Sequence, residues 1–494
     1  MRIRSRNPDH PPLIAARAAI KEETVQMPVP EDKMAIQRIL LLAVAALLLA
    51  ASSCARLDLY GLDSEPFISY SVRLVDHSLE VIGVTGSVFG PVGRYVRLRP
   101  LESFGGGKLE PIGFVAKGPD GGLLPVKIED GLYVIEARGK DFSFSYDIVL
   151  TVEDRYSPEV RSMLTFLDRD RCRLLGRDVF LLPELSLAEG IIVDFDLFPG
   201  GELQTPWPTN GTRMLLPSLD DLPLTMAVSG AYRIVEERVG GTELRLAIAG
   251  DWSFRDEEFF DVIKTIVQQE LALFGTAPHE QYLFVCDRNP VKGGNKFEQY
   301  GIHFTAGMIL LLDPHIDRSE LFGGRMAIVA HEFFHSWNGE AIRANGDDML
   351  WFIEGVTVYF SYQVLLDAKL MTRSQYRRRY DWIRKRYLDN PYLESVAIGD
   401  SGNNDLADKD MVNLLYDGGF LAAGALDNEL RDATSGNVGL IDILKHLYEN
   451  GSTLDEQILV ETLEELCGKD LSTFIATMIH SPSPEILVEH QPTS

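Results

Sequence analysis

Apolar and polar residues alternate with a period of two through much of the first half of the chain. The runs Ser69–Asp76, Leu79–Val88, Arg94–Leu101, Gly131–Ala137 and Phe142–Asp154 all follow it, punctuated by Gly, Pro and Asp. Arg177–Leu185, Gly190–Gly200 and Thr242–Trp252 continue in the same style. Successive side chains of a strand point to opposite faces, so this pattern predicts a β-rich domain over residues 55–250. A sub-boundary is expected near Tyr156–Asp170, and Thr205–Thr212 reads as a loop.

Near Asp251 the period changes. Phe259, Ile263, Ile266, Val267 and Phe274 are spaced as one helix face, with Gly275 as the stop. Strands are predicted at Gln281–Cys286 and Met308–Leu312, then a helix from near Gly324 that is apolar almost all round and so buried. A second apolar helix covers Trp351–Leu366. Beyond it the reading is helical throughout. Tyr376, Tyr380, Ile383 and Tyr387 form a stripe, and Thr372 with Gln375 makes a capping box. Further helices are predicted over Leu414–Arg431, Gly439–Glu449, Leu454–Cys467 and Leu471–His480, with Thr453 and Glu456 capping the third of these and Gly468 ending it. The expectation is a multidomain α+β chain: β-rich at 55–250, α+β at 251–366 and helical at 367–494.

Charge narrows the partners. The chain of 494 residues carries a formal charge of −26. Residues 1–54 hold 7 basic and 5 acidic residues, which leaves 40 against 68, or −28, for the rest. Such a surface repels a phosphate backbone, so a nucleic-acid partner is not expected. The basic run on the stripe helix, Arg377, Arg378, Arg379, Arg384, Lys385 and Arg386, reads as a solvated face or one paired with the acidic body.

The N-terminus reads as a targeting segment over residues 1–54. Ile39–Ala51 is too short to span a bilayer comfortably but suits a signal core. The string LLLAASSC ending at Cys54 resembles a bacterial lipoprotein signal, although Ala51 stands where leucine is usual. The expectation is an exported protein of the bacterial cell envelope, attached to a membrane through a lipid on Cys54. An ordinary cleaved signal is the alternative. Residues 1–33 sit oddly ahead of a signal, and Met34 makes a more natural start. Cys172, Cys286 and Cys467, an odd number at wide spacing, give no disulfide framework and each reads as a buried thiol rather than half of a bridge.

The chemistry concentrates in HEFFHSWN, His331–Asn338, and WFIEG, Trp351–Gly355. On a helix His331 and His335 leave the same face, close enough for both rings to reach one zinc ion. Glu332 projects beside them, where a general base would act on water. Glu354 follows His335 with 18 residues between and completes a His, His, Glu set that leaves one coordination position open. Neither a GxSxG nucleophile nor a phosphate loop is present.

These strings, with LLYDGGFLAAGALDNELRDAT at Leu414–Thr434, resemble the glycyl aminopeptidase family of gluzincin metallopeptidases. Asn338 directly after Trp337 favours that branch. The resemblance is dense from Asp251 to His480 and implies a thermolysin-like catalytic domain between a β domain and a helical one. It implies one zinc ion on His331, His335 and Glu354, Glu332 as base and proton shuttle, and Tyr416 as oxyanion donor. It implies removal of small N-terminal residues from peptides. In the family a glutamate of an edge strand, in a Gly-Gly-Leu-Glu-His-like string, reads the substrate's amine. Here Glu298 in GGNKFEQYGIHF is the candidate, displaced from the glycines and followed by Gln299 rather than histidine. The PDZ domain that many members carry is not expected after His480. Two alternatives stay open: a zinc endopeptidase with the same core, and a non-catalytic envelope lipoprotein. Oligomeric state is not legible.

Overall fold

The structure, a computed structural model, describes residues 67–76, 80–103, 108–150, 163–186, 190–197, 202–289, 299–321, 323–404, 408–451, 453–482 and 487. Cys54 and Glu298 lie outside these.

The alternating half forms sheets as its period predicts. Among the described residues, Phe67–Asp76 is central to a seven-stranded sheet, antiparallel to Val81–Phe89 and parallel to Ile191–Asp196. Phe142–Val149 alternates buried and half-buried positions along its length, one face inward, as a strand covered on one side must. Arg177–Leu185 departs from the strand reading. It gives one helical turn, Gly176–Val179, and a two-residue strand. The buried carboxylate of Asp178 accepts from Ser103 Oγ and from the Thr165 backbone N–H, which holds the chain in that turn.

The sheet of the second half draws in residues ahead of 251. Its strands are β1 (Arg233–Val239), β2 (Thr242–Ile248), β3 (Gln281–Arg288), β4 (Tyr300–Phe304) and β5 (Gly307–Leu312), in the spatial order β1-β2-β3-β5-β4. β2 runs parallel to β3, and β3 to β5. β4 closes one edge, antiparallel to β5. All six residues of β5 are buried because helices cover one face and Leu175, Met226 and Val228 of the N-terminal half cover the other. A buried ion pair joins the halves, Arg173 Nη1 to Asp287 Oδ2 at 2.8 Å.

Helix α1 (Asp256–Phe274) ends at Gly275, whose φ of 85° suits a residue without a Cβ. α2 (Ala327–Phe334) follows a short 3₁₀ turn, and α3 (Thr357–Asp367) follows a π-helical turn at Trp351–Val356. Asp347–Asp367 is apolar enough to cross a membrane by composition, yet it is 83 % buried and forms the core of this domain.

Helices α4 (Arg373–Leu388), α5 (Lys409–Ala433), α6 (Leu440–Glu449), α7 (Glu456–Cys467) and α8 (Ser472–His480) complete the chain. The capping box of α4 forms as read, Gln375 N donating to Thr372 Oγ1 and Thr372 N to Gln375 Oε1. α7 is capped instead by Asp455, which accepts from Ile458 N at 2.9 Å, because Thr453 is held in a short strand against Arg343. On α4, Arg386 pairs with buried Asp417 while Arg377 and Arg378 face solvent. Cys172 and Cys286 are buried free thiols and Cys467 a half-buried one.

Glu270 on α1 is fully buried, and neither carboxylate oxygen has a hydrogen-bond partner among the described residues. Burial pushes its carboxyl well above the usual value of 4.5. The unfolded chain ionises this group near its ordinary value while the folded chain resists. Wild-type stability therefore falls as pH rises above about 4.5, and continues to fall towards the folded pKa. Glu270→Gln removes that dependence. Its melting temperature relative to wild type should rise steadily between about pH 5 and pH 8. A difference independent of pH would show that Glu270 is not held neutral.

Candidate active site

The site is assembled where α2, the π-turn and α5 meet beneath the edge strand β4. His331 and His335 are one helical turn apart, and their Nε2 atoms converge to 3.0 Å. Glu354 Oε2 lies 3.2 Å from His331 Nε2 and 3.5 Å from His335 Nε2. The three ligand atoms fall within 4.8 Å of one another.

Their surroundings fit a divalent cation. Glu354 Oε2 is buried and aligned for a hydrogen bond with neither imidazole. His335 Nδ1 is 2.9 Å from the Asn338 carbonyl, which can only accept, so Nδ1 carries a hydrogen and Nε2 is the nitrogen turned towards His331 and Glu354. Burial alone would push the Glu354 carboxyl up. The charge of His335 and the approach of both imidazoles outweigh it and hold the group far below the carboxylate range, ionised as a ligand must be.

Asn338 fixes the two ligand-bearing segments in register. Its Nδ2 donates to Phe352 O at 3.2 Å, Ile353 O at 3.0 Å and Thr357 Oγ1 at 3.1 Å. The wide turn at Trp351–Val356 presents those carbonyls, and Thr357 Oγ1 adds a bond to Ile353 O. Trp337 anchors the end of the motif, stacked on Phe274 at 4.6 Å with its Nε1 bonded to Thr276 O.

Glu332 lies against β4. A Cβ on Gly301 would fall 2.4 Å from Glu332 Oε1, so the strand approaches the carboxylate only because residue 301 has no side chain. Burial raises the Glu332 carboxyl, with the His331 and His335 charges pulling it down and Glu354 pushing it up. A carboxyl shifted upward in a dry site is suited to accept a proton and return it.

Tyr416 on α5 stacks near His331, ring centroids 5.9 Å apart, and its hydroxyl lies near enough to Glu354 to feel its charge. Burial, then the charge of Glu354, raises its phenol well above 10.0, so it stays a proton donor at any physiological pH. For a hydroxyl that donates to a developing oxyanion, Tyr416→Phe should lower kcat about 10²- to 10³-fold with KM little changed. A variant with wild-type kcat would remove Tyr416 from the reacting centre.

Residues without a motif of their own complete the surroundings. Glu340 accepts from His279 Nε2 and His303 Nε2, both at 3.1 Å. Burial would raise its carboxyl, but the two histidine bonds dominate and hold it strongly ionised. A buried glutamate flanked by two distant histidines leaves no spacing signal.

Residues 325–414 match the family model described as M61 glycyl aminopeptidase. That stretch of the chain is similar to the M61 glycyl aminopeptidases. It contains His331, Glu332, His335 and Glu354 and stops just short of Tyr416. Among solved structures, an aminopeptidase N family protein from Idiomarina loihiensis is similar with a TM-score of 0.71 and 18 % identity, over 86 % of this chain and 77 % of that one. At that identity the likeness speaks for the fold, a mixed α/β arrangement of several sheets with a helical C-terminal part. No curated protein matches the chain. The match to that family model and the geometry around it support a peptidase acting on peptide substrates.

Proposed function

We propose that this protein is a zinc-dependent aminopeptidase that removes small N-terminal residues from peptides. The observation carrying the proposal is the convergence of His331, His335 and Glu354 beside a buried Glu332 and the Tyr416 hydroxyl. Bound by the two imidazoles and Glu354, a zinc ion would supply Lewis-acid activation of water and of the scissile carbonyl. Glu332 takes the proton of the attacking water and later delivers it to the leaving amine. Tyr416 donates to the oxyanion of the tetrahedral intermediate. Asn338 keeps the ligand segments in register, and Gly301 lets the edge strand lie over the base.

One observation favours an endopeptidase as the second reading. The described edge strand, Tyr300–Phe304, bears no carboxylate, and Glu340 is already engaged by two histidines. Paired peptides with free and acetylated N-termini separate the two readings. An aminopeptidase should cleave the free peptide at least about 10²-fold faster, since an unpaired buried carboxylate penalises the blocked one. Equal rates would make it an endopeptidase.

A further inference from the structure

Helix α2 ends at Phe334, so its last carbonyls have no continuing helix to satisfy them. Glu332 O is one of these. The N–H of Ser336, which would reach it in a longer helix, bonds Phe333 O instead at 3.0 Å. The carbonyl is taken from outside the helix, at 2.9 Å by His303 Nδ1 of the edge strand and, more weakly, at 3.5 Å by the Tyr282 hydroxyl. A carbonyl only accepts, so Nδ1 is the donor. The other ring nitrogen, Nε2, faces the Glu340 carboxylate at 3.1 Å, another acceptor. His303 is thus held between two acceptors, its ring 5.7 Å from that of His335. Glu340 is tied down in turn, its backbone N–H on His335 O at 2.9 Å and its carboxylate shared with His279.

The same strand meets Glu332 twice. Its backbone at Gly301 lies on the carboxylate, and its His303 side chain holds the main-chain carbonyl of the same residue. A donor at a helix C-terminus also opposes the partial negative charge there.

We propose that His303 is a positioning residue for Glu332: its Nδ1–H caps the motif helix at the Glu332 carbonyl, with Glu340 orienting the ring, and so fixes the base relative to the edge strand. The inference rests on Glu332 being the base. His303 touches no reacting atom. Misplacing a general base by a fraction of an ångström slows the chemical step without weakening substrate binding or the metal ligands.

The test uses the full chain with zinc loaded, in three forms: wild type, His303→Leu and His303→Asn. Leucine removes the shorter of the two bonds to the Glu332 carbonyl and leaves only the 3.5 Å contact of Tyr282, whereas the asparagine amide can place an N–H near the position of Nδ1. His303→Leu should lower kcat about 10- to 100-fold with KM within about twofold and zinc still stoichiometric, and His303→Asn should recover most of the loss. Hydrogen–deuterium exchange over residues 331–338 supplies a readout independent of turnover: faster exchange in the leucine variant, restored protection in the asparagine one. Unchanged kcat in His303→Leu, or equal losses in both variants with falling zinc content, would overturn the positioning role. Wild-type protein that cleaves no peptide would count against the peptidase reading itself. The exchange arm would still decide whether His303 caps the helix.

Discussion

Glu332→Gln should reduce kcat by about 10²- to 10⁴-fold, the contribution of a positioned general base, while bound zinc remains near stoichiometric. The substitution is nearly isosteric. It preserves the close approach of Gly301 to the side chain, and the amide would still fit under the edge strand. It leaves His331, His335 and Glu354 untouched, so the ligand set survives. What is lost is the ability to take up a proton, which burial now favours in Glu332. Metal analysis with steady-state kinetics on the same preparation separates the two effects. Low zinc and low kcat together would mean that the change had damaged the ligand set. Wild-type kcat with full zinc would remove Glu332 from the role of base.

The parts of the site written as short-range spacing were legible in the sequence. His331 and His335 share a helix face, and an apolar run around Glu354 announced the second buried segment. The long alternating runs gave most of the N-terminal strands, and Gly275 and Gly468 marked helix ends that the structure places there. What stayed hidden depends on residues far apart in the chain. The hairpin β1-β2 alternates like the strands before it, and nothing in its pattern says that β2 pairs with β3 across α1. The π-turn at Trp351–Val356 has the composition of an ordinary helix. It is fixed by Asn338, whose three bonds cross to that segment. Asp455 outcompetes Thr453 as a cap only because a strand pairing engages Thr453. His303, His279 and Glu340 come from two strand ends and a loop, and each alone is an unremarked polar residue.

The closest backbone contact in the site leads to the second large effect. Gly355 follows the ligand Glu354, and Gly419 lies one helical turn beyond Tyr416. A Cβ on Gly355 would sit 2.2 Å from both Cα and C of Gly419, and a Cβ on Gly419 would sit 2.5 Å from Trp351 O. These neighbours are main-chain atoms, with no flexible end to swing away. The helix α5 and the π-turn therefore touch backbone to backbone, and that separation sets how near the Tyr416 hydroxyl comes to Glu354. Gly355→Ala must push the two segments apart. The expected cost is about 1–3 kcal/mol of stability from overpacking. A fall in kcat of about 10²-fold should accompany it as the oxyanion donor withdraws. Gly424 on the same helix is the control. A Cβ there would meet the Tyr359 ring at 3.6 Å, ordinary contact, so Gly424→Ala should leave kcat unchanged and gain up to about 1 kcal/mol from helix propensity. Melting temperature and kcat measured on both variants test the distinction. If Gly355→Ala and Gly424→Ala behaved alike, the spacing of α5 would not be what holds Tyr416 against the ligand set.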